Sequence, residues 1–230
     1  MKVLSIIPAR SGSKGIPNKN IIKIKNKFLI DYTIDISINC PYIDFTFVST
    51  DSIKIKKISE KRGLSIPFLR PKSLSTDKSN IIDTITYSLN KLEALHNIKY
   101  DIILILQPTS PLRIEMDVYK SLKLIKDTKF KYDSVISITK YNGISPNIMY
   151  LTKGKYINLI RKNTYFQRQQ YEKVFFRNGL VYAIKRETIL KKKSIFGKKI
   201  GFIETPFERS INLDTKTDLK ILKKKIKNFD

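Results

Sequence analysis

The segment Arg10-Ser-Gly-Ser-Lys14-Gly-Ile-Pro-Asn-Lys19-Asn20 places three cations and two glycines directly after an apolar stretch that ends at Pro8. Glycines admit positive φ and let backbone N–H groups approach an anion, which is the expected use of Gly12 and Gly15. Arg10, Lys14 and Lys19 can then neutralise a polyphosphate and stabilise charge that builds on it. The spacing is neither G-x-x-x-x-G-K-[ST] nor G-x-G-x-x-G, so neither a P-loop nor a dinucleotide fingerprint is present. The plain alternative is a solvated basic loop.

Four further segments carry polar groups that chemistry can use. Val48-Ser-Thr-Asp51 ends an apolar stretch, and its hydroxyls and carboxylate suit a helix N-cap. Leu106-Gln-Pro-Thr-Ser-Pro-Leu-Arg113 follows another, with two prolines that restrict the turn presenting Gln107, Thr109 and Ser110. A neutral amide there can bind a hydroxyl or phosphate oxygen, while Thr109 or Ser110 could simply cap the next helix. Arg177-Asn-Gly179 precedes a stretch containing Tyr182, and Gly179 suggests a close backbone approach. Asp214 and Asp218 stand at the start of a last helical segment, either as acids favouring the helix dipole or with Asp214 turned to a divalent cation on phosphates. His96, the one histidine, ends a predicted helix, so Ser-His triads and histidine metal sites are not expected.

The elements that must position these groups are legible from hydrophobic spacing. Val3–Pro8, Phe45–Ser49, Ile102–Leu106, Ser134–Ile138 and Leu180–Ile184 read as buried strands. Ile81, Ile85, Leu89 and Leu92 line one face of a helix over about Asn80–His96; Val118, Leu122 and Ile125 mark a second, and Leu219, Leu222 and Ile226 a third. Alternating strands and helices predict βαβ units around a mainly parallel sheet, whose ligand sits beyond the carboxyl ends of its strands. Tyr141–Phe176, rich in Asn, Tyr, Gln, Lys and Arg, breaks the rhythm and reads as an excursion used in assembly or in covering the site. With no repeats or low-complexity linker, residues 1–230 are expected to form one domain carrying that insertion.

Composition sets the outer limits. The 230 residues are 41% hydrophobic and 28% charged, which suits a packed soluble domain and argues against disorder. The longest apolar runs are far too short for a bilayer, and the apolar start is broken by Pro8 and Arg10 without a cleavage site, so a first strand and a cytoplasmic protein are expected. A single cysteine, Cys40, excludes an internal disulfide and a Cys-cluster metal site. The net charge of +25 raises the possibility of a nucleic-acid partner. Its lysines are interleaved with apolar residues and no nucleic-acid-reading motif is present, so a nucleic-acid-binding protein without catalysis ranks below an enzyme of anionic substrates.

Taken in order, these segments resemble the acylneuraminate cytidylyltransferase family, the makers of CMP-sialic acid and related CMP-nonulosonates. The resemblance rests on Ile7–Asn20, Val48–Asp51, Leu69-Arg-Pro71 with Leu74, Leu106–Arg113, Arg168-Gln-Gln170, Asn178-Gly179 and Leu213-Asp-Thr215. It implies an α/β protein with the three-layer αβα nucleotide-diphospho-sugar transferase fold, Rossmann-like, with 141–176 as a dimerisation insertion. It implies that CTP lies along Ala9, Arg10, Ser11, Gly12, Lys14 and Lys19, with Asn20, Arg70 and Ser79 on the nucleoside side. Gln107 would reach the α-phosphate and the reacting hydroxyl, Arg168, Asn178 and Tyr182 the acidic sugar, and Asp214 a Mg²⁺ ion. Two positions depart from the family pattern: Asn212 replaces a second carboxylate, and Phe176 stands where an arginine is frequent. Guanylyl or cytidylyl transfer to another sugar, such as a sugar phosphate, is the nearest alternative.

Overall fold

Five apolar segments from the middle of the chain and its start find one another in a six-stranded sheet. The computed structural model describes residues 1–13, 15–141, 146–160 and 173–226, and the predicted residues Lys14 and Arg168 lie outside them. The strands are β1 (Val3–Pro8), β4 (Phe45–Ser49), β5 (Ile102–Ile105), β6 (Ser134–Tyr141), β9 (Val174–Lys185) and β10 (Ile200–Glu204), in the order β10-β6-β9-β5-β1-β4. Two short hairpins stand apart from it, β2 (Lys23–Ile24) with β3 (Lys27–Phe28) and β7 (Tyr150–Lys153) with β8 (Tyr156–Leu159). β1 pairs in parallel with β4 and β5, and β6 with β10, whereas β9 runs antiparallel between β5 and β6. The mainly parallel reading holds, with β9 as the reversed strand.

Helices cover both faces. Strand residues alternate sides, so Thr46 of β4 reaches Ser37 of α1 (Leu29–Asn39) at 2.8 Å, while Ser49, three positions on, meets Ser88 of α3 (Ile81–His96) at 3.0 Å. α2 (Ile53–Glu60) follows β4, α4 (Glu115–Lys126) packs on β6, β9 and β10, α5 (Arg186–Leu190) follows β9, and α6 (Lys216–Ile226) closes the described chain. The predicted helix face of α3 is realised, with Ile85, Leu89 and Leu92 fully buried. Asn80 caps it through Oδ1, which accepts the Ile82 N–H at 3.1 Å.

Two expected caps fall elsewhere. Ser52, not Asp51, caps α2 by accepting the Ile55 N–H at 3.3 Å. The N-terminus of α4 is capped by Asp117, whose Oδ2 accepts the Ile114 N–H at 3.1 Å, which leaves Thr109 and Ser110 for other duties. The excursion contains β7 and β8, with Tyr156 and Leu151 78% and 63% exposed. Among the described residues, no helix is long and apolar enough to cross a membrane.

Candidate active site

Parallel β1, β4 and β5 send their carboxyl ends to one side of the sheet, and the loops that leave them form a cleft of about 470 Å³. Arg10, Gly12, Lys19 and Asn20 enter from the loop after β1, while Arg70, Ser79, Gln107 and Asp214 close the other walls. Eight predicted residues from four separate segments therefore share one cavity. Neither Gly12 nor Gly15 uses positive φ; among the described residues of the first loop the left-handed one is Asn18, at 53°.

The first loop is held from both sides. Ala9, fully buried, donates its N–H to the Ser49 carbonyl at 2.9 Å and fixes the exit from β1. Ser11 donates through its N–H and Oγ to Asp51, at 2.8 and 2.6 Å. Burial opposes ionisation of Asp51, but these bonds outweigh it and hold the carboxyl below the usual range. Asp51 thus serves the loop and caps no helix. Asn20 donates through Nδ2 to the Arg10 carbonyl at 3.0 Å. Gly15 matters through proximity: a Cβ there would lie 2.5 Å from the Asp214 carbonyl oxygen.

Among the described residues, the charges in the cleft sort into exchangeable pairs and one stranded cation. Arg10 pairs with Asp77 at 2.6 Å and Lys19 with Asp214 at 2.9 Å. These pairs are partly open to water, worth little to stability, and readily exchanged for phosphate oxygens. Arg70 is 6% exposed, and its Nε and Nη2 have no hydrogen-bond partner. Burial pushes its pKa down; Asp51 partly restores it, and Arg10 adds repulsion. Its backbone N–H is tied to the Thr50 carbonyl at 2.7 Å, which anchors the main chain that carries the stranded guanidinium. Ser79 instead makes a local turn, donating to the Ser73 carbonyl at 2.9 Å and accepting the Thr76 N–H at 3.0 Å.

Gln107 is braced by a residue to which the sequence assigned no role. Arg113, fully buried among the strands and α1, donates to the Gln107 carbonyl (2.9 Å), to Thr33 Oγ1 (3.0 Å) and to the Leu180 carbonyl. Burial pulls its pKa down to about 9, with Asp117 opposing. Its place at the end of the Leu106–Arg113 motif was the signal available. Asp77 carried no sequence signal at all, since an acid on the Thr76–Ser79 turn is unremarkable.

Asn178 and Tyr182 do not join the cleft. The pairing of β6 with β9 slips between Ile136 and Ile138, and Asn178 fills the gap. Its Nδ2 donates to Thr139 and Thr205 hydroxyls (2.7 and 2.6 Å), and its Oδ1 accepts from Ser137 Oγ and the Leu180 N–H (2.6 and 3.2 Å). Every polar atom of that side chain is spent on the fold. Tyr182, 5% exposed, pairs within the sheet with Ile105 and Ile136 and packs toward Phe196; burial raises its pKa, with Arg177 opposing.

For a divalent cation, the cleft offers Asp214. Its side chain is 68% exposed, and its backbone is anchored by Asp218, whose Oδ2 accepts the N–H groups of Asp214 and Thr215 at 3.1 and 2.7 Å. Among the described residues, no group of three or more His, Cys, Asp or Glu side chains is placed to hold a metal. Asp77 also lines the cleft, 40% exposed and paired with Arg10, so Asp214 is the more open of these two carboxylates, a donor set that suits a Mg²⁺ ion held mainly by phosphate oxygens.

A family model described as Cytidylyltransferase matches residues 4–228. The N-acylneuraminate cytidylyltransferase of Streptococcus agalactiae serotype III (strain NEM316) is 32% identical over 223 residues, covering 95% of this chain and 52% of that protein. This chain therefore spans about half the length of that relative. The pseudaminic acid cytidylyltransferase of Campylobacter jejuni subsp. jejuni serotype O:2 is 30% identical over 227 residues, covering 97% of this chain and 95% of that protein. In fold, the chain is similar to a CMP:2-keto-3-deoxy-manno-octonic acid synthetase complexed with CTP, with a TM-score of 0.74, 16% identity and 99% of each chain covered.

Proposed function

The chain belongs to the cytidylyltransferase family, and from that premise we propose that it transfers a cytidylyl group from CTP to an acidic nine-carbon sugar, sialic acid or a related nonulosonate. The products are a CMP-sugar and pyrophosphate. The observation that carries the reading is Arg70, a nearly buried guanidinium with two unpartnered donors on the wall of a cationic cleft. Such a group is costly when empty-handed and is satisfied by an anion or by the carbonyl oxygens of a base. The relatives named for acylneuraminate and pseudaminic acid point to the sugar class.

In this mechanism the triphosphate displaces Asp77 and Asp214 from Arg10 and Lys19, and Lys14 completes the cationic set. Arg70, with Asn20 and Ser79, faces the nucleoside. The sugar's anomeric hydroxyl attacks the α-phosphorus in line, and the bond to the bridging oxygen of pyrophosphate breaks. Gln107 orients the hydroxyl against the α-phosphate, and Arg10, Lys14 and Lys19 stabilise charge on the departing pyrophosphate. Asp214 assists ionisation of the hydroxyl and is the residue that would hold Mg²⁺. When bound, Mg²⁺ supplies neutralisation of the phosphate oxygens and lowers the pKa of an oxygen it contacts.

Arg168 is assigned to the sugar carboxylate; Asn178 and Tyr182 support the wall of the site from within. A homodimer through the 141–176 arm fits the exposed apolar residues Leu151, Tyr156 and Ile157 of β7 and β8. We place the single nucleotidyltransferase unit in the cytoplasm, where CTP is available, with no nucleic-acid partner. The test is pyrophosphate release with CTP and Mg²⁺ across a panel of nonulosonic acids, octulosonate and sugar phosphates. Turnover with a nonulosonate is expected; turnover with GTP and a sugar phosphate alone would overturn the reading.

A further inference from the structure

Asn212 stands two residues before Asp214, and its amide is committed at both ends. Ser110 Oγ donates to Oδ1, and Nδ2 donates to the Asn178 carbonyl at 3.0 Å. Ser110 is fully buried, and its own N–H is bonded to the Gln107 carbonyl at 3.2 Å. The backbone of Gly179, at φ 76°, comes so near that a Cβ would lie 2.6 Å from Gln107 Oε1 and 3.3 Å from both Asn212 Oδ1 and Ser110 Oγ. One residue further on, the Leu213 N–H is bonded to the Thr109 carbonyl at 2.8 Å.

Three parts of the fold meet at this amide: the loop after β5 that presents Gln107, the irregular turn of β9, and the segment that carries Asp214 into α6. A carboxylate could not make the same junction, because it has no hydrogen to give the Asn178 carbonyl and would set its charge against that oxygen. The one amide atom able to ligate a cation, Oδ1, lies against Ser110 and the Gly179 turn.

We propose that Asn212 is a positioning residue and not a cation ligand: it clamps the Gln107–Ser110 loop to the Asn178–Gly179 turn, fixes the Gln107 side chain for transfer, and leaves Asp214 as the carboxylate that meets a divalent cation. The role rests on the cytidylyl-transfer reading, and the measurements separate the two. Wild-type protein, Asn212→Ala, Asn212→Asp, Gln107→Ala and the Asn212→Ala/Gln107→Ala pair are compared for kcat, for CTP affinity by calorimetry, and for Mn²⁺ bound per chain with CTP by electron paramagnetic resonance.

For Asn212→Ala and Asn212→Asp, kcat falls on the order of tenfold to a hundredfold while CTP affinity stays within about twofold, as for a displaced catalytic group. Wild type and both Asn212 variants bind the same number of Mn²⁺ ions. On the Gln107→Ala background, Asn212→Ala costs nothing further, because residues that act through one another are not additive. The assignment is overturned if Asn212→Asp takes up an additional Mn²⁺, if Asn212→Ala loses Mn²⁺, or if the two alanine losses multiply. If Asn212→Ala does not fold, Ser110→Ala removes one arm of the clamp without changing charge and is read in the same three ways. Absence of wild-type turnover would sink the transfer reading, yet the Mn²⁺ counts would still decide whether Asn212 is a ligand.

Discussion

Replacing Arg70 by Met should make the nucleotide-free protein more stable while removing its response to CTP. In the structure Arg70 is 6% exposed, with Nε and Nη2 lacking partners. Each buried unsatisfied donor costs about 1–3 kcal/mol. Asp51 returns part of that through its field, and Arg10 works against it. Met keeps most of the aliphatic stem and its packing, adds no donor, and removes the charge. The net gain is put at about 1–3 kcal/mol, which raises Tm by about 2–4 °C per kcal/mol in a chain of this size. Saturating nucleotide stabilises wild type by about 2.7 kcal/mol at a hundredfold excess over Kd. Losing the charge-assisted contacts of Arg70 removes about 1.5–3 kcal/mol of that binding per bond, so the same CTP concentration leaves almost no shift. Thermal unfolding of both proteins with and without CTP and Mg²⁺ reads all four values. A variant less stable than wild type without nucleotide, with the CTP shift intact, would refute the argument that this cation is held strained for a ligand.

Other perturbations test other parts of the site. Gly15→Ala should push Asp214 aside, because its Cβ would lie 2.5 Å from the Asp214 carbonyl oxygen, whereas Gly12→Ala meets nothing within 4 Å; steady-state kinetics should show a loss of up to about a hundredfold for the first and little for the second. Asp214→Ala, at a side chain 68% exposed, should leave the urea midpoint within error of wild type, a change under about 0.5 kcal/mol, and reduce kcat by about two orders of magnitude. Asp133 tests acid stability away from the site. Burial there opposes ionisation, but Lys192 Nζ and the backbone N–H groups of Lys199 and Lys198 outweigh it and hold the carboxyl at about 2, against 3.8 for a free aspartate. Because the native value is the lower one, its stabilisation is complete above the unfolded pKa and is lost as pH falls toward 2. Asp133→Asn should therefore flatten the fall of the urea midpoint between about pH 4 and pH 2, and an unchanged slope would count against the assignment.

Local patterns carried the strands and helices, and failed where pairing partners decide. α3 follows the expected Asn80–His96 closely, since one buried face at helical spacing and an asparagine cap suffice to specify it. The strand expected at Leu180–Ile184 extends back to Val174 and runs antiparallel. No periodicity encodes strand direction. Residues 174–177 alternate between half-buried and exposed at a sheet end, so they lack the apolar run that marks a central strand. The short β7–β8 hairpin is equally silent, because Tyr150, Leu151, Tyr156 and Ile157 remain exposed and give no buried face to read.

The site was legible wherever function resides in a residue's own charge and in its place after a strand. Arg10, Lys19, Gln107 and Asp214 reach one cleft for that reason. Asn178 shows what such reading lacks. An asparagine before glycine at a strand edge looks like a ligand-presenting turn, yet the four hydrogen-bond partners of its side chain are Ser137, Thr139, Leu180 and Thr205, three of them remote in sequence. Saturation of polar atoms is what separates the two kinds of residue here. Asn178, Asn212, Arg113 and Asp51 direct their side-chain hydrogen bonds to other parts of the protein and so build the walls. Arg10 and Lys19 rest in exchangeable pairs and Arg70 rests with donors unused, so these three gain most when an anion arrives. That partition follows from distances across the fold, and it predicts which substitutions weaken binding and which loosen the scaffold around it.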